Sequence, residues 1–130
     1  MASIFTRIVA GEIPAYKVAE TEKFLAFLDI NPLKKGHTLV IPKQEVDYIF
    51  DLEDELFIGL QIFAREVGRA IERAVPCTRI GSAVVGLEVP HAHIHLIPID
   101  SVKDLDFSNP RVELSPEEFN SLAADIARYI

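Results

Sequence analysis

The stretch that decides the fold reads Pro90-His91-Ala92-His93-Ile94-His95-Leu96-Ile97-Pro98, with a histidine at every second position and apolar residues between them. Successive side chains of a β-strand point to opposite faces. The alternation therefore predicts one row of imidazoles, His91, His93 and His95, with Ala92, Ile94 and Leu96 turned into the core behind it. Three of the chain's four histidines fall in these positions, and the row asks for a chemical reason, because threonine or lysine would serve a solvated strand face as well. Three readings compete: an incidental polar face, imidazole ligands for zinc, and nucleophilic or acid–base chemistry at a phosphorus or carbonyl centre. Zinc held by this row alone is disfavoured, because the outer rings of a straight strand point along parallel directions and do not converge on one ion.

Working outward, the fourth histidine, His37, opens the strand-like run Thr38-Leu39-Val40-Ile41, which stops at Pro42. Before it, residues 16–20 and 24–29 read as a hairpin, preceded by a short helix that Ser3 caps and Gly11 stops. From Asp51 the apolar period changes to that of a helix: Leu56, Leu60, Phe63, Val67, Ile71 and Ala74 share a face, with Asp51 as the cap and Pro76 as the stop. Residues 79–85 read as a fourth strand and the histidine row as a fifth. Ser115-Pro116-Glu117-Glu118 is a capping box with proline at the first helical position, so a last helix carries Phe119, Leu122, Ala123, Ile126 and Ile130. Strands interrupted by one long helix, without regular alternation, predict an α+β fold. The expected architecture is a mostly antiparallel five-stranded sheet with a short amino-terminal helix, a long central helix and a carboxy-terminal helix, in a single domain over residues 1–130.

A chain of 130 residues that is 49% apolar can build one core. It has no apolar run of about 18 residues, so no membrane partner is expected. The amino terminus lacks the basic and apolar regions of a signal peptide, and the single Cys77 cannot form an internal disulfide, so a cytoplasmic location is expected. A net charge of −7 argues against a long nucleic acid as partner, because that affinity rests on neutralising many phosphates. Acidic residues gather at Glu45, Asp47, Asp51, Glu53, Asp54 and Glu55, while Lys34, Lys35 and Lys43 bracket His37. Those lysines read either as a locally cationic site for a small anion or as solvated surface.

His91-Ala92-His93-Ile94-His95, followed by Leu96-Ile97-Pro98, resembles the signature of the histidine triad family of nucleotide hydrolases and transferases. Ile4-Phe5 through Gly11-Glu12-Ile13-Pro14-Ala15 is similar to that family's amino-terminal segment. Phe27-Leu28-Asp29-Ile30-Asn31-Pro32, with Gly36-His37-Thr38-Leu39-Val40-Ile41-Pro42-Lys43, is similar to its nucleotide-binding stretch. The resemblance, to a branch like the bacterial histidine triad nucleotide-binding proteins, implies a histidine triad fold, a homodimer, no cofactor, and a purine nucleotide or nucleoside phosphoramidate as ligand. It implies that His93 attacks the α-phosphorus and is transiently nucleotidylated, its other nitrogen held by the His91 carbonyl. His95 would hydrogen-bond to the phosphate and leaving group, and His37 would join the row through the His91 side chain. Asp29 would bind the ribose hydroxyls, Phe5, Ile8, Phe27, Leu28 and Ile30 would surround the base, and Gly86 and Glu88 would lie beside the phosphate and leaving group.

The chain departs from the family pattern at several positions. Ile80 stands for an asparagine, Leu87 for a glutamine and Glu88 for a hydroxyl residue, and there is no tryptophan in the carboxy-terminal tail. Ser3 and Thr6 stand where some relatives place a pair of zinc-binding cysteines, so no metal is expected. Three functions follow in order: a metal-independent nucleoside phosphoramidate hydrolase, a dinucleoside polyphosphate hydrolase, and a nucleotide-binding interaction module with weak catalysis.

Overall fold

The computed structural model describes residues 2–130, and its centre is a five-stranded antiparallel sheet. The strands are β1 (Lys17–Glu20), β2 (Phe24–Leu28), β3 (Thr38–Pro42), β4 (Arg79–Ala83) and β5 (Ile94–Ile99), in the spatial order β1-β2-β3-β5-β4. Three helices accompany them, α1 (Ile4–Val9), α2 (Asp54–Ala74) and α3 (Pro116–Ala127). The α+β class, the five strands and the three helices match the sequence expectation.

Every residue of β2 and β3 is buried, because both faces of the sheet are covered. On one face Phe24, Ala26, Leu28, Val40, Ile94 and Leu96 pack against α2 and α3, through Leu60, Phe63, Val67, Ile71, Phe119 and Ile126. On the other, Leu25, Phe27, Leu39 and Ile41 pack against Phe5 and Ile8 of α1. Leu60, Ile71 and Ile126 are completely inaccessible to solvent, so truncating one of them to alanine should cost about 2–5 kcal/mol.

Local chemistry sets the helix ends. The Ser3 side chain accepts from the Thr6 N–H to start α1, and Gly11 follows its end with φ +79°. The predicted capping box at α3 is present, with Ser115 and Glu118 each accepting from the other's main-chain N–H. The expected start of α2 at Asp51 is corrected. Asp51 lies in a single 3₁₀ turn, Ile49–Asp51, and α2 begins only after Glu53, which makes no side-chain cap. Ile49 and Leu52 are buried, so this turn tucks two apolar side chains into the core before the helix starts. The apolar stripe of α3 also ends earlier than expected: the helix stops at Ala127, and Ile130 is exposed. A second 3₁₀ turn, Val102–Leu105, has its own capping box between Ser101 and Asp104.

Candidate active site

The histidines lie on the α1 face of the sheet. His95 pairs in register with Leu39, and neighbours directly across a ladder share a face. One expectation needs correcting, since β5 starts at Ile94 and only His95 of the row lies within a strand. His91 and His93 occupy the approach to it. There Ala92 N–H donates to the Val46 carbonyl at 2.7 Å, so the chain at this point bonds to the segment after β3. The inward placement of Ala92, Ile94 and Leu96 stands, and all three belong to the core against α2. All four histidines are buried, so none is an incidental polar face.

Their protons can be assigned from the main-chain groups they meet. A carbonyl only accepts and an amide N–H only donates. His91 Nε2 lies 2.8 Å from the Pro42 carbonyl, so it carries the proton, and Nδ1 accepts from the Ser3 hydroxyl at 2.8 Å. His93 Nδ1 lies 2.7 Å from the His91 carbonyl, so it donates, leaving Nε2 with a free lone pair. Leu33 N–H donates to His37 Nδ1 at 3.0 Å, so His37 is protonated at Nε2, and that N–H donates to His95 Nδ1 at 2.9 Å. His95 is thereby left with its proton on Nε2. The ring centroids of His93 and His95 are 5.0 Å apart, one ring offering a lone pair and the other an N–H.

Burial, with His95 and Arg111 adding to it, pushes His37 down to about 3. Burial, followed by His93 and Arg111, pushes His95 down to about 4. Both rings are therefore neutral near pH 7. The 3.5 Å approach of Asp29 to His37 Nε2 is then a contact with a neutral ring and not an ion pair. Burial raises Asp29, opposed by the hydrogen bond from the Asn31 N–H. The expected link from His37 to the His91 side chain is absent among the described residues. His37 pairs with His95, because Gly36 (φ +103°) turns the chain into β3 immediately before it. A side chain at Gly36 would be strained and would meet Pro98 and Val75 at 3.1 Å, so this turn belongs to the placement of His37.

A cavity of about 430 Å³ opens between α1, the β2–β3 connection and the loop before His91. Of the residues that the resemblance assigns to a nucleotide site, Phe5, Ile8, Phe27, Leu28, Asp29, Ile30, Gly86, Glu88, His93 and His95 line it. His91 and His37 stand behind it and reach it through His93 and His95. Its size and mixed lining suit a ligand as large as a nucleotide. Phe5 packs edge-on against both His93 and Phe27, at 5.1 and 5.5 Å. A groove of about 500 Å³ between α2 and β4 is lined by Arg65, Arg69 and Arg79 and contains no histidine.

The lysines of the expected cationic region do not line the cavity. Lys34 pairs with Asp104 at 3.2 Å and Lys43 with Glu20 at 2.7 Å. The sequence reading missed three other residues. Phe107 sets its ring edge against His95 at 4.9 Å, and Arg111 lines the cavity beside it. Glu45 accepts from Ser3 N–H and from the Thr6 hydroxyl, both at 2.6 Å, and these bonds hold its carboxyl down at about 2. Ser3, Thr6, Glu45 and His91 thus form one hydrogen-bonded cluster. The only signal for it in the sequence was the pair Ser3 and Thr6.

Among the described residues, Asp29, His37 and His95 are those whose donor atoms come close enough to hold a metal, all within 4.8 Å of one another. The donor set fits poorly. A neutral histidine that ligates through Nε2 carries its proton on Nδ1, and there it would face the Leu33 N–H, donor against donor.

Known proteins resemble this chain in sequence and in fold. The HIT domain family model matches residues 10–102. The adenosine 5'-monophosphoramidase of Schizosaccharomyces pombe is 36% identical over 132 residues, covering 100% of this chain and 99% of that one. A HIT-like protein of Bartonella henselae involved in cell-cycle regulation superposes with a TM-score of 0.84 at 26% identity, over 98% of this chain and 96% of that one. A zinc-bound histidine triad family protein of Mycobacterium smegmatis gives 0.82 at 30% identity, over 98% and 95%.

Proposed function

Because this chain belongs to the HIT domain family, we propose that it is a nucleotide-binding hydrolase that cleaves a nucleoside 5'-phosphoramidate, or a related nucleoside monophosphate conjugate. His93 Nε2 attacks the α-phosphorus, a nitrogen–phosphorus bond to the enzyme forms, and the bond to the leaving amine breaks. The amine departs with a proton drawn from water. A water molecule then cleaves the nucleotidyl-histidine and releases the nucleoside monophosphate. Splitting one displacement into two lets a neutral imidazole perform the difficult step.

The observation that carries this reading is the pair of complementary ring edges on the wall of one cavity, the lone pair of His93 and the N–H of His95. The first is a nucleophile, and the second is a hydrogen-bond donor for a phosphoryl oxygen as charge develops. Asp29 offers a carboxylate that can accept from both ribose hydroxyls, and Phe5, Ile8, Phe27 and Ile30 give the base an apolar bed. The name of the Schizosaccharomyces relative supports an amine as the leaving group.

The test is intact-protein mass spectrometry after brief mixing with adenosine 5'-phosphoramidate and acid quenching. An adenylyl adduct on His93 is expected, lost in His93→Gly. Wild-type turnover in His93→Gly would move the nucleophile elsewhere.

A further inference from the structure

We propose that Arg111 recognises the substrate phosphate and gives the cavity its preference for a phosphorylated nucleoside over the bare nucleoside. This rests on the nucleotide reading above and deepens it. Among the described residues, Arg111 is the one lysine or arginine on the cavity wall, which also carries two carboxylates, Asp29 and Glu88. His95, neutral near pH 7, adds no positive charge. A nucleoside phosphate would therefore bring its negative charge into a wall already negative on balance, and Arg111 is the group that can compensate it.

The placement of the guanidinium fits that task. Its Nη1–H donates to the Asn31 carbonyl at 2.9 Å and its Nη2–H to the Phe107 carbonyl at 3.3 Å. The guanidinium carbon sits 5.9 Å from the centre of the Phe107 ring, whose edge rests on His95 at 4.9 Å. The next residue is also tied down, since Val112 N–H donates to the Pro32 carbonyl at 2.8 Å. A guanidinium has five N–H donors, and these two bonds leave the others free for phosphate oxygens, which its planar fork matches. After burial and the neighbouring histidine, its charge is a further influence holding His37 and His95 neutral, and it shares the cavity wall with His95.

The experiment measures the dissociation constants of adenosine monophosphate and adenosine by calorimetry for wild type, Arg111→Gln and Arg111→Lys. Wild type should prefer the monophosphate. Arg111→Gln should narrow that preference by about tenfold or more while adenosine affinity stays within about threefold, and Arg111→Lys should keep most of the preference. An unchanged ratio in Arg111→Gln overturns the inference, including the case where both affinities fall together, because Arg111 would then only anchor the Phe107 segment. Equal wild-type affinity for the two ligands also overturns it while leaving the nucleotide reading intact. Wild type binding neither ligand overturns the nucleotide reading, and this inference with it.

Discussion

The main-chain N–H of Leu33 donates to His37 Nδ1 at 3.0 Å, and His37 in turn donates to His95 Nδ1 at 2.9 Å. A backbone amide four residues before His37 therefore decides that His95 presents a proton to the cavity. His93 is fixed with the opposite polarity by the carbonyl of His91.

Removing the His93 ring should separate chemistry from binding. His93→Gly or His93→Asn is expected to lose turnover while adenosine monophosphate binds within about tenfold of wild type, a change of roughly 1.4 kcal/mol or less, because Asp29 and the apolar bed lie on other segments. Single-turnover assays paired with calorimetry check this. Loss of binding far beyond that range would place the ring in ligand recognition.

Acidification should destabilise the fold earlier than carboxylate protonation would. The folded-state values of His37 and His95, about 3 and about 4, lie below the ordinary 6.5. The unfolded chain therefore takes up these protons first as the pH falls. The stability contribution is complete above about pH 6.5 and is lost progressively toward about pH 4. Unfolded glutamates bind protons only near 4.5 and below, so a fall in Tm between about pH 6.5 and about pH 5 belongs to the histidines. A flat Tm across that interval would contradict their neutral burial.

Glu88 lines the cavity with Asp29 and should influence the leaving group. Two unit charges about 6 Å apart interact by roughly 3 kcal/mol at an effective dielectric near 20, and exposure of Glu88 screens this to an expected several-fold effect. Phosphoramidates with basic amines should be turned over better than diadenosine polyphosphates, and Glu88→Ser should narrow the difference. Identical kcat/KM ratios in the two proteins would remove Glu88 from substrate choice.

Chelation should leave activity intact. The donor clash at His37 and the hydrogen-bonded cluster of Ser3, Thr6, Glu45 and His91 leave no set of ligands suited to zinc among the described residues. One zinc per chain after dialysis against a chelator, by elemental analysis, is the result that overturns this.

We expect a homodimer. Tyr48, Phe50, Ile58 and Ile62 are exposed on the 3₁₀ turn and on α2, and Phe50 is 73% accessible. Tyr48, Phe50 and Phe57 line a groove with Val84 and Val85, more apolar surface than a monomer ordinarily shows to water. Light scattering at micromolar concentration should return twice the chain mass. The mass of one chain would refute the expectation.

The residues whose positions follow from short-range patterns were legible in the sequence. The alternation around His93 gave the buried face of the histidines, and Ser115 to Glu118 gave the start of α3. The resemblance supplied the cavity lining from Phe5 to Glu88. Contacts across the sheet are not legible: the resemblance joins His37 to His91, whereas its ring bonds to His95, which the sheet register sets opposite Leu39, two residues further on. Glu45 looked like one more acid in an acidic stretch, because its partner Ser3 lies 42 positions away. Arg111 follows Asn109-Pro110 in a segment with no periodicity, where a single cation carries no pattern at all.

Three of the four histidines, His37, His91 and His93, take their proton positions from main-chain groups, the Leu33 N–H, the Pro42 carbonyl and the His91 carbonyl, and His95 takes its own from His37. Side-chain drift at 33 and 42 therefore leaves the proton pattern intact as long as the backbone path is kept. The exception is proline at 33, which has no N–H to give. Chains that have diverged widely in composition can share the same acid–base state, and a comparison of residue identities alone would not reveal that they do.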